Sequence, residues 1–214
     1  MKTKWILTSL AACLAIGTMA HAAEGWTTYN SRPGNNLVFI EGTSTMHDWR
    51  VQGTVIGGRF LAGPGFPTEA AAAKPGKVEA RTEGVIIPVR ALKSVKADGT
   101  PYSAQMDEIM YEKLRMDQHR NISFELNDMT LKEAPKDADG AFVFEAKGKL
   151  QVGGETKDIL MPVKMKVDGK ALTFSGEIEA KMTDFKIEPV VALLGAVKTG
   201  DEIKLGINWV VQTR

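Results

Sequence analysis

The stretch Leu172–Met182, LTFSGEIEAKM, alternates apolar and polar residues at every step. Phe174, Gly176 and Ile178 fall on one side of this alternation, and serine and glutamate residues fall on the other. A two-residue repeat is typical of a β-strand with one buried face and one face in water. The sequence therefore predicts a long strand here, with its apolar row turned inward.

The same repeat recurs along much of the chain. Further alternating rows begin near residues 122, 142, 159 and 203, and less regular strands are expected over 37–42, 49–60 and 77–90. The last of these changes phase near Gly84, as a β-bulge would cause. Asp168-Gly169 and Asp139-Gly140 predict tight turns between strands. Eight strands result.

Long antiparallel strands that are apolar on one face must close into a barrel or stack as two sheets. We expect an all-β fold, an eight-stranded antiparallel barrel with one or two short covering helices, because closure leaves no exposed edges. One helix is predicted after Thr100-Pro101, and a second break in the β pattern begins at Pro189. The first helix would present one apolar face made of Met106, Ile109, Met110 and Leu114. The segment Ala62–Gly76 is interpreted as a surface excursion.

Residues 1–22 have the pattern of a secretory signal peptide. Two lysines precede the apolar run Trp5–Ile16, which ends near Ala20-His21-Ala22. We expect cleavage after Ala22, a single mature domain over 23–214 and a periplasmic or secreted protein. No later segment supplies the roughly 20 apolar residues that a membrane-spanning helix needs. Cys13 follows a short lipoprotein-like pattern, so lipidation at Cys13 is the alternative.

Composition and spacing exclude several classes of function. The chain has 27 Lys+Arg against 26 Asp+Glu, so nucleic acid is not an expected partner. Cys13, the only cysteine, lies in the signal peptide, which excludes thiol catalysis and disulfides in the mature chain. His47 and His119 have no partner at metal-ligand spacing. We expect no metal, no cofactor and no catalytic residue, while homo-oligomerisation stays open.

The inward rows favour a hollow interior, although a solid core of interlocking small and large residues fits the spacing equally well. Gly176 is small, and Met161 is flexible enough to adapt to varied apolar shapes. The expected lining residues are Phe39, Trp49, Phe124, Phe144, Met161, Phe174, Gly176, Ile178 and Trp209. Ser44 or His47 would lie at the end that receives a ligand head group.

His47 stands beside Asp48, and a carboxylate can orient an imidazole as a general base. Adjacent strand residues point to opposite faces, however, so the two cannot form a dyad in extended chain. Three interpretations stay open: a turn whose polar side chains bond the backbone while Trp49 anchors the core, a head-group contact, or a base. The nearby cations are interpreted as solvated surface charges; they are Lys113, Arg115, Arg120 and Lys132.

Two motifs resemble those of the YceI-like, polyisoprenoid-binding family. The first runs through Met106-Asp107-Glu108 and Tyr111-Glu112-Lys113-Leu114 to Ile122-Ser123-Phe124. The second, Gly148–Lys157, is similar to the family's G-x-L-T-x-G-x-T-K hairpin. The resemblance extends over nearly all of residues 25–212. The chain departs from the family at Arg120-Asn121, where relatives usually have Tyr-Pro, and in its added length at Ala62–Gly76.

The resemblance implies an exported, lipocalin-like barrel that holds an isoprenoid chain in an apolar interior. We therefore expect a carrier for a long apolar lipid, either a polyisoprenoid or a quinone-like chain, and not an enzyme. Two alternatives remain: a lipid-modifying enzyme that uses His47, and a solid-cored structural or stress protein.

Overall fold

The computed structural model describes residues 25–137 and 140–214. The predicted signal peptide, Cys13 and the first position of the Asp139-Gly140 turn lie outside these ranges. Within them, no helix has the length and apolar character needed to cross a membrane.

The described residues form thirteen strands and one α-helix. The strands are β1 Thr27–Ser31, β2 Leu37–Ser44, β3 Trp49–Gly53, β4 Gly57–Ala62, β5 Gly76–Val78, β6 Ala80–Pro88, β7 Lys93–Val95, β8 Asn121–Glu133, β9 Phe142–Val152, β10 Glu155–Asp168, β11 Ala171–Lys181, β12 Val191–Ala192 and β13 Val197–Gln212. The helix, α1, is Ala104–Lys113. Short 3₁₀ turns occur at Ala70–Ala72, Val89–Ala91, Met182–Phe185 and Leu193–Gly195.

Eight of the strands close into an antiparallel barrel, which confirms the predicted fold class. Their order is β1-β4-β6-β8-β9-β10-β11-β13, and the pairs Asn30↔Gln212 and Ser31↔Val211 return β13 to β1. The long β13 also pairs with β2 between Thr199 and Asn208. β2 continues the sheet into β3 and β7, so these three strands form an extension beside the ring.

The strands predicted from sequence differ from the strands in the structure, and each difference has a simple physical reason. The expected strand over 49–60 is divided into β3 and β4 around residues 54–56. β1 was missed because its sequence, TTYNS, shows no clean alternation. β5, β7 and β12 have three residues or fewer, which is too short for a periodic pattern.

The predicted turn and bulge are both present. Gly169 joins β10 to β11 with φ +55°, a conformation that favours glycine. Gly84 has φ +59°, and the register of β4 against β6 shifts opposite it, between Gly57 and Arg59. The strands on either side of the bulge therefore keep their apolar residues inward.

One end of the barrel, called here the closed end, is filled by aromatic side chains. Phe66 packs edge-on to Phe60 at 5.2 Å between ring centroids and stacks on Phe144 at 5.7 Å. Phe60 also meets Phe174 at 4.6 Å. Each such pair contributes about 0.5–1.5 kcal/mol beyond the area it buries. The expectation that 62–76 is a surface excursion is therefore wrong at Phe66, which is buried and plugs the barrel.

Candidate functional site

The other end of the barrel, called here the mouth end, is hollow. It contains a cavity of about 390 Å³ whose wall is almost wholly apolar. Inward side chains of β2 to β4, β6, β8 to β11 and β13 supply the wall, with Phe174 and Trp209 at its floor above the aromatic plug. The polar side chains on the lining are Ser44, His47, Thr82, Lys113 and Thr199. A cavity of this size and character is typical of a site for an apolar small molecule.

Two segments cover the mouth end. The first is α1, which turns Met106, Ile109, Met110 and the following Leu114 toward the cavity, as the sequence pattern predicted. Its N-cap is Ser103, whose hydroxyl accepts a hydrogen bond from the Met106 amide at 3.3 Å. The expected start at Thr100-Pro101 is too early, because Pro101 instead forms a β-bridge with Val95.

The second cover is the segment 182–190, which connects β11 to the β12 hairpin. Met182, Phe185, Ile187 and Val190 all line the cavity from this segment. The first three are buried. Asp201 fixes the segment at its start, where its carboxylate accepts hydrogen bonds from the Thr183 amide at 2.9 Å and hydroxyl at 2.7 Å.

Arg115 links the two covers, contrary to the interpretation of this residue as a solvated charge. It follows Leu114, the C-cap of α1, and has φ +52°. Its guanidinium donates to the Gly153 carbonyl in the β9–β10 turn at 3.0 Å and to the Lys186 carbonyl in the second cover at 3.1 Å. Glu155 lies 3.8 Å from the same guanidinium. Sequence reasoning had no signal for this role, because the three partners are brought together only by the fold.

Asp107 anchors α1 to β7 through a nearly buried carboxylate. It accepts a hydrogen bond from the Ser94 amide at 2.7 Å and lies 3.2 Å from the Lys93 ammonium. Burial alone would raise the pKa of Asp107, but the bonds from Ser94 and Lys93 outweigh it and hold that pKa below its usual value. Tyr111, one turn later, donates its hydroxyl to the Leu92 carbonyl at 3.0 Å. These contacts fix the apolar face of α1 over the cavity.

Six of the predicted lining residues have inward side chains that reach the cavity. They are Trp49, Phe124, Met161, Phe174, Ile178 and Trp209. They come from β3, β8, β10, β11 and β13, so residues far apart in sequence meet around one space. Their role in ligand binding stays a prediction.

Three other predicted lining residues are placed differently. Phe144 is fully buried in the plug at the closed end. Phe39 borders the cavity, but its ring lies on the outer face of β2, with the Arg50 guanidinium 4.1 Å above it. Gly176 faces inward, but it leaves no open groove, because a Cβ there would lie 3.0 Å from the Met161 sulfur and 2.6 Å from the Pro162 carbonyl oxygen.

Gly176 belongs to a set of three inward glycines that are each covered by a large lining side chain. Trp49 covers Gly42, Phe124 covers Gly148, and Met161 covers Gly176, with hypothetical Cβ contacts of 2.3, 2.5 and 3.0 Å. Without a Cβ beneath them, these side chains lie flat against the wall instead of projecting into the lumen. The glycines therefore widen the cavity indirectly, because they leave room for the lining side chains to pack close to the backbone of the wall.

Ser44 and His47 form a turn at the mouth. The Ser44 hydroxyl accepts from the amides of Met46 and His47, both at 3.2 Å, and donates to the His47 carbonyl at 2.7 Å. His47 Nδ1 lies 2.7 Å from the Asp48 backbone carbonyl, and Nε2 lies 3.0 Å from the Tyr102 hydroxyl. A carbonyl oxygen can only accept, so Nδ1 is the donor in the first contact, and the tautomer with its proton on Nδ1 leaves Nε2 able to accept from the Tyr102 hydroxyl. His47 thus meets the backbone of Asp48 and not its carboxylate, so this pair forms no catalytic dyad.

The described residues contain no cluster of three or more His, Cys, Asp or Glu side chains that could hold a metal ion. The cavity itself carries one cationic side chain, Lys113, near its mouth. The rest of the lining is almost wholly apolar, so the site can bury apolar surface of a ligand.

Comparison with known proteins places this fold among solved structures. The chain is similar to a polyisoprenoid binding domain from Saccharophagus degradans implicated in plant cell wall breakdown, at 8% identity and a TM-score of 0.60, covering 88% of this chain and 99% of that one. It is also similar to BcnA of Burkholderia cenocepacia, at 15% identity and a TM-score of 0.55, covering 82% and 95%. At these identities the likeness concerns the fold. No curated protein sequence matches the chain.

A family model supplies the assignment. The model of the YceI-like domain matches residues 42–211, which include β3 to β11, α1, both covers and nearly all of β13. The match contains both sequence motifs and every cavity-lining strand except the start of β2. The chain belongs to the YceI-like domain family.

Proposed function

We propose that this protein is a carrier that binds one long apolar lipid, a polyisoprenoid or quinone-like chain, in the cavity at the mouth end. The observation that carries the proposal is the cavity itself, about 390 Å³ of space with an apolar wall inside a closed barrel. The family and the polyisoprenoid binding domain with the same fold support the choice of ligand class.

The dimensions of the cavity suit a slender chain. A row of inward residues borders the cavity from Phe174 on β11 to Met182, the residue just after this strand. At about 3.4 Å per residue and a strand tilt of about 40°, that row extends roughly 20 Å along the barrel axis. The aromatic plug stops a ligand at the floor, so the chain enters from the mouth with its tail toward Phe174 and Trp209.

Binding would be driven by the removal of apolar surface from water. Each square ångström buried contributes about 25 cal/mol, so an ordered tail inside this wall gains several kcal/mol before the entropic cost of its immobilisation. The few polar side chains at the mouth can meet a head group without facing the tail. No bond-making step is needed for this function.

A pair of matched substitutions tests the site. Ile178 lines the cavity, whereas Ile86 lies on the outer face of β6, where it is more than one-third exposed. We expect Ile178→Trp to fill the lumen and lower the affinity for a fluorescent polyprenol at least roughly tenfold, which corresponds to about 1.4 kcal/mol. Ile86→Trp should bind as the wild type does. Equal affinities for both variants, with both proteins folded, would place the ligand elsewhere.

We further propose that the protein acts outside the cytoplasm after loss of residues 1–22. The basic start, the apolar run and the small residues before Ala23 support this. Mass measurement of the protein from fractionated cells should give a chain that begins at Ala23. A chain that keeps Cys13 with an attached lipid would show the lipoprotein alternative instead.

A further inference from the structure

We infer that the mouth end docks onto a lipid bilayer by inserting the tips of two loops, the β2–β3 turn and the β12 hairpin. This inference rests on the proposed function, since docking would let an apolar ligand pass between cavity and membrane without crossing water.

Three exposed apolar side chains mark the two tips. Met46 in the β2–β3 turn is 69% exposed, Val191 at the β12 hairpin is 63% exposed, and Leu194 is fully exposed. Leu194 is also held in the left-handed region, with φ +54° and ψ +32°, where a non-glycine residue is uncommon. A single exposed apolar residue needs no explanation, but three on neighbouring loops at one end of a protein do.

The two loops are tied into one surface. The Thr45 amide donates to the Lys198 carbonyl at 2.9 Å, and the Thr45 hydroxyl donates to the Ala196 carbonyl at 3.0 Å. The Lys198 amide in turn donates to the Thr45 hydroxyl at 3.2 Å. Met46 is therefore held next to the hairpin that carries Val191 and Leu194.

This surface is continuous with the cavity. Met46 itself lines the cavity, as do Val190 and Val197 on either side of the hairpin. An apolar path thus leads from the lumen to the exposed tips. Contact with a polar partner would gain no binding free energy from such an apolar path. The apolar interior of a bilayer, in contrast, can accept both the loop tips and the ligand tail.

The charges around the tips indicate how the surface would bind. The titratable groups within five residues of Met46, Val191 or Leu194 along the chain are Glu41, His47, Asp48, Arg50, Lys186, Glu188 and Lys198, in which three acids balance two lysines and one arginine. These neighbours of the tips therefore supply no net charge that would steer the protein toward anionic head groups. We expect adsorption that depends on apolar insertion and changes little between low and high salt.

The experiment measures partition of the mature protein, without ligand, to phosphatidylcholine vesicles that contain a dansyl-labelled lipid. We expect energy transfer from the protein tryptophans to the dansyl group, and loss of at least roughly tenfold in the partition coefficient for the double variant Val191→Asp, Leu194→Asp. The matched control is Leu160→Asp, since Leu160 is 52% exposed on the outer wall of β10. It should partition as the wild type does.

A second measurement separates this inference from the proposed function. Affinity for a polyprenol in vesicle-free buffer should be the same for wild type and double variant, while transfer of that polyprenol to vesicles should be slower for the variant. Wild-type protein that binds polyprenol but does not partition to vesicles, or a double variant that partitions normally, would overturn the docking surface and leave the carrier function standing. Normal partition to vesicles without polyprenol binding would overturn the carrier function and leave the docking surface standing.

Discussion

Gly176→Ala tests the way in which the cavity wall is built. The added Cβ would lie 2.6 Å from the Pro162 carbonyl oxygen, which belongs to the neighbouring backbone, and 3.0 Å from the flexible Met161 sulfur. Met161 can move, but the carbonyl can retreat to ordinary contact distance, 3.4 Å, only if β10 moves by about 0.8 Å. Overpacking of this kind costs about 1–3 kcal/mol, against which a strand residue other than glycine recovers about 0.5–1 kcal/mol.

We therefore expect a net loss of roughly 1–2 kcal/mol, which lowers Tm by about 2–8 °C in a chain of this size. Thermal unfolding, monitored by circular dichroism, measures this change in Tm. Gly57→Ala is the matched control: its Cβ would meet the Ile86 side chain at 3.2 Å and no backbone atom closer than 3.9 Å, so its Tm should change little. A Gly176→Ala protein that melts at or above the wild-type temperature would refute the close seating of β10 against β11.

Four further outcomes follow from the site. Met161→Ala should uncover Gly176 and relieve part of the Gly176→Ala penalty, so that a double-mutant cycle gives a coupling of at least roughly 0.5 kcal/mol. Arg115→Ala should speed hydrogen exchange in both covers, whereas Lys132→Ala, which removes an exposed ion pair, should not. The folded protein holds the pKa of Asp107 below its unfolded value of about 3.9, so the Asp107 carboxylate stabilises the fold fully above that value and stops doing so as the pH falls through the lower folded pKa. Asp107→Asn should flatten that acidic part of the curve of stability against pH. An unchanged curve would contradict the role of Asp107 as the anchor of α1. His47→Ala should leave polyprenol affinity within a few-fold, and loss of a chemical turnover in that variant would instead favour the enzyme alternative.

Periodicity predicted the parts of the fold that depend on one strand at a time. β11 and β13 alternate so regularly that their inward residues were identifiable, and Phe174, Ile178 and Trp209 do reach the cavity. The apolar face of α1 was likewise visible at helical spacing. These predictions succeeded because burial of one face is a local property of sequence.

Predictions failed where the outcome depends on which residue lies opposite. Phe144 has the right parity to line the lumen, but Phe66 from a distant loop stacks on it and fills that end. Gly176 has the right parity too, and only the register of β10 against β11 shows that Met161 covers it. Register and long-range packing are set by pairing between strands, which the spacing within one strand does not contain.

The site was harder to predict where polar residues act through the fold. Asp107 and Arg115 carry no apolar periodicity, and their partners lie on other elements. Ser44 and His47 were correctly recognised as a candidate turn, because serine hydroxyls bond nearby backbone amides at just this spacing. Sequence spacing did not indicate the two loop tips that we propose as a docking surface: Met46 stands among polar residues, and Val191 and Leu194 belong to a short apolar run after Pro189.

The most direct test of the carrier function is the identity of what the purified protein holds. Protein isolated under native conditions from cells that export it should give, by native mass spectrometry and by organic extraction, one molecule of a polyisoprenoid or quinone-like lipid per chain. Ile178→Trp protein prepared in the same way should carry much less. Wild-type protein that is repeatedly free of lipid, and that takes up no added polyisoprenoid or quinone, would contradict the account.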